Sequence, residues 1–168
     1  MMPRRSRRLL LAAALFFPLA GLAQTLPSTP GETLSGRSIV LAEAVRGRSS
    51  ILIVGFSKEA GDGCGAWAKA VRSDAALAGV QVFEAAMLER APALIRGIVK
   101  SAMRKGQTPA QQDGFVILTQ EEKLWRGFFG VTADKDPYVV FLDEKGRVVW
   151  HGHGDAGNLE PLLRKAKP

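Results

Sequence analysis

The sequence predicts an α/β protein in which helices cover a layered β-sheet, and three observations lead to that prediction. Short apolar runs of strand length occur at 51–56, 115–119 and 138–142. The first two pass directly into helical patterns, and strands that alternate with helices in this way pair in parallel through right-handed crossovers. The 145 residues that follow residue 23 suit one domain that buries a core without cross-links. This pattern excludes a pure β-sandwich.

The first 23 residues have the organisation of a secretory signal peptide. Arginines at 4–8 precede an apolar run of 13 residues at 9–21, and Gly21-Leu22-Ala23 suits cleavage before Gln24. A membrane-spanning helix needs roughly 20 apolar residues. We therefore expect a periplasmic or secreted protein with no membrane span after leader removal. Retention of the leader as an anchor, and export by the twin-arginine route, stay open.

The net charge gives no indication of a nucleic-acid partner. The full chain has 23 basic and 16 acidic residues, for a net charge of +7. Four arginines belong to the leader, so the chain after residue 23 has 19 basic and 16 acidic residues and a net charge of +3. These basic residues are scattered among acidic ones, which is typical of a solvated surface rather than a nucleic-acid interface.

The segment after the leader is expected to form a lead-in and then a β-hairpin. Residues 24–32 contain two prolines and show no periodicity, which favours a flexible lead-in. Two short runs within 33–41 flank a Gly-Arg turn, and we expect the folded domain to extend over 33–168. Residues 41–47 indicate one helical turn that ends at a glycine.

The segment 50–74 predicts a buried strand, a tight turn and a helix. Its first residues are apolar and rich in β-branched side chains, as in a strand covered on both faces. Trp67, Val71 and Ala75 recur every fourth residue and predict the helix. Asp62 and the glycines on either side of it are the candidate caps.

This strand, loop and helix resemble the active-site unit of secreted thioredoxin-like proteins, in which a cysteine lies at a helix N-terminus after a strand that ends in Phe. In that family the loop carries Cys-x-x-Cys, because the helix N-terminus stabilises a thiolate. Counted from Phe56, Gly61 holds the place of the first cysteine and Cys64 that of the second. Cys64 is the chain's one cysteine. The resemblance therefore implies that dithiol exchange, which needs two sulfurs, is not available.

Two strands and two helices are predicted between this unit and residue 130. Residues 80–84 alternate apolar and polar, as in a strand near a sheet edge or with one solvated face. Residues 90–105 predict a helix, 107–113 a polar loop, and 115–119 a strand that leads into another helix. In the first helix we expect the apolar residues to face the core and the basic residues to face solvent or an acidic partner; these are Ala91, Leu94, Ile98 and Met103, and Arg96, Lys100 and Arg104.

The second of these helices has clear end signals. Thr119 is predicted to cap it, with Glu122 completing a capping box, and Gly130 to end it. A last helix is predicted over 158–165, with Asn158 as its cap.

The segment 129–150 resembles thioredoxin-like proteins a second time. In them a helix ends in Tyr-Gly-Val, a cis-proline opens the next strand, and an Asp-x-x-Gly turn leads to an antiparallel partner. Here Phe129-Gly130-Val131 precedes Pro137, and 143–146 supply the turn. The resemblance implies a three-layer thioredoxin-like fold with a central mixed β-sheet, helices on both faces, an N-terminal β-hairpin and a cis bond at Pro137. Gly-Arg-Val-Val-Trp at 146–150 is also similar to the mitochondrial ATP synthase assembly factor family, which is not known for dithiol catalysis.

These resemblances imply a non-catalytic binding or assembly-helper protein. In thioredoxin-like proteins the backbone before the cis-proline pairs with an extended peptide, by strand addition in a groove. We expect such a groove for a protein or an extended peptide, including a segment of a membrane protein. Its predicted residues are Gly61, Asp62, Gly63, Cys64, Asp136 and Pro137.

The alternative is single-thiol chemistry at Cys64, as a peroxidase or in thiol exchange, since a helix N-terminus would lower the pKa of the thiol. A third possibility is a metal site formed by Cys64 with His151 and His153, but surface or packing roles are the simpler interpretation of the two histidines. We expect neither a metal nor a cofactor.

Overall fold

The computed structural model describes residues 24–157 and 159–166. The predicted leader and Asn158, the predicted cap of the last helix, lie outside the described residues. The strands are β1 (Pro30–Thr33), β2 (Ser38–Val40), β3 (Ser50–Gly55), β4 (Gln81–Met87), β5 (Phe115–Leu118), β6 (Tyr138–Leu142) and β7 (Val148–His153). The helices are α1 (Leu41–Ala44), α2 (Ala60–Ser73), α3 (Ala93–Lys105), α4 (Pro109–Gly114), α5 (Glu122–Phe129) and α6 (Glu160–Ala166), with a 3₁₀ turn at Ala75–Leu77.

The seven strands form one mixed sheet in the order β2-β1-β5-β4-β3-β6-β7. β3 pairs in parallel with β4, and β4 with β5, as the strand-helix alternation predicts. The β1–β2 hairpin, the β1–β5 pair and the β3–β6 and β6–β7 pairs are antiparallel. The predicted mixed sheet and N-terminal hairpin are therefore confirmed.

Helices cover both faces of this sheet, and β3 shows why. All six of its residues are buried. Leu52 and Val54 pack into a core with Trp125 of α5, whereas Ile51 and Ile53 pack into a second core with Trp67 of α2. Since successive side chains of a strand point to opposite faces, the continuous apolar run of β3 requires a layer on each side. The predicted three-layer architecture is confirmed.

Strand β4 lies inside the sheet, between β3 and β5, so its predicted position near an edge is wrong. The alternation that led to that prediction includes Glu84, which is 3% exposed. Its carboxylate is 2.8 Å from the guanidinium of Arg72 on α2. A polar residue on a covered face is tolerated here because it is paired.

The folded part begins earlier than the predicted boundary at residue 33. Leu26 and Thr29 are buried, and β1 begins at Pro30. The Thr29 hydroxyl accepts a hydrogen bond from the Trp125 indole at 3.0 Å and donates one to the Glu121 carboxylate. Residues of the predicted lead-in thus pack against the start of α5.

One helix forms where a loop was predicted, and another begins differently from its prediction. Most of helix α4 lies within the predicted loop 107–113, and Thr108 caps it in a capping box with Gln111. Helix α5 is not capped by Thr119: Glu121 precedes it in the left-handed region, at φ 61°, with no side-chain cap. The carboxylate of Glu89 accepts a hydrogen bond from the backbone N–H of Glu122 at 2.5 Å. A side chain from the end of β4 therefore satisfies a first-turn donor that a local cap would otherwise take.

Helix α3 begins at Ala93 rather than at 90, and it faces the opposite way from the prediction. Its basic residues bind the domain: Arg96 donates to the carbonyls of Ala91 and Glu89, Lys100 pairs with Glu32, and Arg104 donates to the carbonyl of Leu34. Leu94 and Ile98 lie outside, at 78% and 59% exposure, whereas Met103 is half-buried. The period separated Leu94 and Ile98 from the basic residues, but Met103 lies on the side of Arg96. Which face turns inward depends on the acceptors that the neighbouring elements offer.

None of the helices within 24–157 and 159–166 combines the length and the apolar character that crossing a bilayer requires.

Candidate binding site

The candidate site lies where β3 passes into α2. Ala60 begins the helix, and its N–H donates to the hydroxyl of Ser57 at 3.3 Å. Asp62 and the two glycines beside it therefore lie within the first turn, not ahead of the helix as predicted caps would. Gly61 and Asp62 are exposed to solvent. The site is at the carboxyl ends of β3, β4 and β5, which is the end of the strands where open α/β folds bind ligands.

The structure brings the first turn of α2 against Pro137. A Cβ atom added to Gly63 would lie 3.0 Å from both Cδ and Cγ of the Pro137 ring, closer than a relaxed contact. A Cβ added to Gly61 would meet nothing within 4 Å. Gly63 is thus the residue that lets the helix approach the proline, while Gly61 leaves open space at the surface.

The predicted cis bond at Pro137 is wrong, since every peptide bond between described residues is trans. Trans is the lower-energy state of most X-Pro bonds, and a proline at the head of a strand needs no N–H for the ladder in either state. The backbone N–H of Asp136 donates to the carbonyl of Ala133 at 3.2 Å. The carbonyl of Pro137 accepts from Gly154 at 3.1 Å. The N–H of Asp136, which the predicted strand addition would use, is therefore engaged within the domain.

The loop before Pro137 is held from several sides. The hydroxyl of Tyr138 accepts hydrogen bonds from the N–H groups of Thr132 and Ala133 at 2.9 and 3.0 Å. The hydroxyl of Ser57 donates to the carbonyl of Asp134 at 2.8 Å. These bonds join the loop to β6 and to the start of α2, so the loop and the helix turn form one framework.

A cluster of charges beside this framework was missed by the sequence reasoning. Arg126 of α5 donates two hydrogen bonds to Asp134, at 2.7 and 2.9 Å, and one to Glu122, at 2.7 Å. Its guanidinium also lies 5.2 Å from the centroid of the Phe56 ring. The pKa of Arg126 is raised mainly by its hydrogen bonds to Asp134 and to a smaller extent by the bond to Glu122. The hydrogen bond from Arg126 in turn lowers the pKa of Asp134. The i,i+4 spacing of Glu122 and Arg126 is a sequence signal for their pair, but nothing local indicates Asp134.

His153 lies at the rim of the site. Its Nδ1 is 3.1 Å from a carboxylate oxygen of Asp136, and its ring stacks on Tyr138 with centroids 5.3 Å apart. Among the described residues, no three His, Cys, Asp or Glu side chains are grouped so that they could hold a metal ion. His153 and Asp136 form a polar pair at the surface, with side chains that are 54% and 25% exposed.

Cys64 is turned away from this surface. The side chain is buried, at 9% exposure, and its Sγ would lie 3.2 Å from a Cβ added to Gly55 of β3. The pKa of the thiol is raised from 9.0 to about 12, mainly by burial and to a smaller extent by the negative charge of Glu84. The thiolate, which is the reactive form, is therefore scarce at neutral pH.

No family model matches the chain, and no curated protein matches it in sequence. Solved structures do match in fold. The pneumococcal exposed lipoprotein thioredoxin Etrx1 from Streptococcus pneumoniae has a TM-score of 0.55 and 14% identity, over 83% of this chain and 98% of that one. BsSco, a member of the Sco family of cytochrome c oxidase assembly proteins, has a TM-score of 0.58 and 11% identity, over 86% of this chain and 92% of that one.

A putative thiol:disulfide interchange protein DsbE from Chlorobium tepidum has a TM-score of 0.56 and 14% identity, over 85% of this chain and 93% of that one. At such identities these similarities show the fold and not the activity. The chain therefore has a thioredoxin-like fold, as the sequence resemblance implied. The similarity to the ATP synthase assembly factor family stays a prediction.

Proposed function

We propose that this chain is an exported thioredoxin-fold protein that binds a partner protein without dithiol exchange. The observation that carries the proposal is the state of Cys64, a single thiol that is buried and has a raised pKa. The exposed place at the helix start, where the thioredoxin-like resemblance puts the attacking cysteine, is held by Gly61. The fold's ordinary redox surface is retained here without its nucleophile.

This surface suits an extended polypeptide segment. Gly61 has no side chain and Asp62 is exposed beside it, while the Asp136–His153 pair adjoins Pro137, which the first turn of α2 approaches through Gly63. Because the N–H of Asp136 already donates to Ala133 and Pro137 is buried under the first turn of α2, the partner is held by side-chain contacts with Asp62, Asp136 and His153 rather than by full strand addition. The framework around Ser57 and Tyr138 keeps the surface in shape without a bound partner.

An assembly-helper role is the form of binding that we favour. BsSco, which this chain resembles in fold, belongs to a family named for cytochrome c oxidase assembly. Etrx1 is named as an exposed lipoprotein, which agrees with the export expected from residues 1–23. On this proposal the partner is an exported protein or the exported segment of a membrane protein. No observation favours the alternative, single-thiol catalysis at Cys64, because the sulfur is neither exposed nor ionised.

The test is co-purification of partners with the tagged full chain, quantified by mass spectrometry for three variants. Gly61→Arg adds bulk at the open site. Gly79→Arg is the control: a Cβ added there also meets nothing within 4 Å, but Gly79 lies just before β4, at the opposite end of the strands. Cys64→Ala removes the sulfur. We expect Gly61→Arg to lose the partner and the other two variants to keep it. Loss with Cys64→Ala and retention with Gly61→Arg would show that the thiol, not the surface, carries the function.

A further inference from the structure

Helix α3 presents an apolar face that nothing in the described part of the chain covers. Leu94 is 78% exposed, Ile98 59% and Ile95 44%, and no residue of the helix is buried. An open groove of about 600 Å³ runs along the helix, and it is lined by Leu94, Gly97, Ile98, Ser101, Ala102 and Lys105. Contiguous exposed apolar residues of this kind mark interaction surfaces more often than isolated ones do.

The outward position of this face is fixed by the basic residues on the other side of the helix. Arg96 binds carbonyls of the loop between β4 and α3, Lys100 binds Glu32 on β1, and Arg104 binds the carbonyl of Leu34. Rotation of the helix to bury Leu94 and Ile98 would break all three sets of contacts. The apolar face is therefore a stable feature of the surface.

Both ends of this face are electropositive. The helix contains no acidic residue, and Pro92, at the N-cap position, provides no side-chain acceptor for the first N–H groups. Arg90, three residues before the helix, does not add to this charge, because its guanidinium is paired with the Glu122 carboxylate of α5 at 3.2 Å. Lys105 lines the groove at the other end. A ligand that matches this face is apolar in the middle and acidic at its ends.

We propose that α3 is a docking surface for an amphipathic helix of a partner protein, with Leu94 and Ile98 packing against its apolar side and acidic residues flanking that side. The small residues Gly97, Ser101 and Ala102 leave a hollow that a large apolar side chain fills, as in helix-in-groove recognition. The surface lies on a different element from the Gly61–Pro137 site and does not depend on the function proposed for that site.

Two other occupants fit the charges less well. Helices that lie on anionic membranes ring their apolar face with Lys and Arg, whereas the three basic side chains Arg96, Lys100 and Arg104 turn toward the domain. In a second copy of the chain, one α3 would meet another that also has no acidic residue, so no complementary charge would be available.

The test is photo-crosslinking from position 98 of the full chain in the cells that produce it, with position 124 as control. Leu124 on α5 is also a large exposed apolar residue, at 52%. We expect adducts from position 98, but not from position 124, to map to a segment of another protein with helical apolar spacing and flanking Asp or Glu. Adducts with lipid, with a second copy or at both positions, or no adduct, would overturn the proposal.

The mapped segment is then synthesised and its affinity for the full chain is measured. We expect Leu94→Gln with Ile98→Gln to weaken binding about tenfold or more, as loss of central apolar contacts does, and Leu124→Gln to leave it unchanged. Replacement of the segment's acids by amides should also weaken binding, and added salt should do the same. Equal affinity for all variants would contradict the proposal. Gly61→Arg should leave this binding intact, so failure here and failure of the Gly61 site are distinguishable.

Discussion

The guanidinium of Arg126 donates two hydrogen bonds to the carboxylate of Asp134 and so joins α5 to the loop that precedes Pro137. A third bond from Arg126 goes to Glu122, whose side chain is 8% exposed and also pairs with Arg90 at 3.2 Å. One side chain thus positions the loop at the candidate site and compensates a nearly buried carboxylate.

Arg126→Ala should therefore destabilise the protein more than Asp134→Asn does. Without Arg126, the nearly buried Glu122 carboxylate keeps only the exposed Arg90 as a charged partner, and the lost bond costs about 1–3 kcal/mol in the free energy of unfolding. Asp134→Asn removes an exposed partner and should have a smaller effect, because solvent screens it. Urea unfolding of the two variants measures the difference. Equal stability of both variants would show that the pair with Glu122 contributes nothing.

The Cys64 thiol should be unreactive in the native protein. At pH 8 we expect Ellman's reagent to modify it slowly, at a rate set by local opening, and quickly in urea, because the thiol is buried and protonated. The matched control is Gly61→Cys in a Cys64→Ala background, which places a thiol on the open surface three residues earlier. The control should react quickly without urea. Equal native rates for the two thiols would favour the single-thiol alternative.

The raised pKa of Cys64 predicts a loss of stability at alkaline pH. The unfolded chain releases the thiol proton near pH 9, whereas the native protein retains it up to about pH 12. Over that interval the native state binds more protons, so the free energy of unfolding falls as pH rises, by at most about 1.4 kcal/mol per pH unit. We expect the difference in the free energy of unfolding between wild type and Cys64→Ala to be constant below pH 9. Above pH 9 the wild type should lose stability relative to the variant. Urea unfolding from pH 7 to pH 10.5 measures this, and parallel curves would be the contrary result.

Most of the fold could be predicted because its signals are local. The buried run of β3, the helical period of α2 and the Gly-Arg turn of the hairpin each specify an element without reference to the rest of the chain. Parallel pairing then follows from the alternation of strands and helices. The presence of Gly63 and Pro137 at one site followed from the family resemblance, and the structure places them in contact.

What could not be predicted depends on partners that are distant in sequence. Glu122 is capped by Glu89 rather than by Thr119, and α3 turns outward because Glu32 and the carbonyl of Leu34 bind its basic side. Helical periodicity is symmetric in this respect: it separates two faces but does not say which one has acceptors opposite it. The Asp136 N–H is engaged by Ala133, a turn contact that the motif comparison did not indicate.

The close contact between Gly63 and Pro137 predicts opposite effects for two glycines of α2. Gly65→Ala adds a methyl group in open space and should stabilise the protein by about 0.5–1 kcal/mol, as Ala does in a helix. Gly63→Ala gains the same helix propensity but forces its Cβ to within 3.0 Å of the Pro137 ring, so it should be neutral or destabilising. Thermal unfolding of both variants decides the matter. A Gly63→Ala variant that is as stable as Gly65→Ala would mean that the helix does not contact the proline in solution.

The last prediction concerns the position of Gly61. If Gly61 holds the place of the attacking cysteine, Gly61→Cys should form a reversible bridge to Cys64, because residues three apart are neighbours on a helix surface and a local shift of about 1–2 Å brings their Cβ atoms to the spacing of a disulfide.

The bridge would be detected as the loss of both free thiols on oxidation and their return with dithiothreitol. Wild type should not reduce insulin, because exchange needs a second sulfur, and the variant should gain measurable activity. Gly65→Cys is the matched control, since neighbouring helix residues do not face each other, and it should form no internal bridge. A Gly61→Cys variant that stays reduced and inactive under the same conditions would show that the helix start is not equivalent to a thioredoxin-like active site, and the binding surface proposed there would lose its basis.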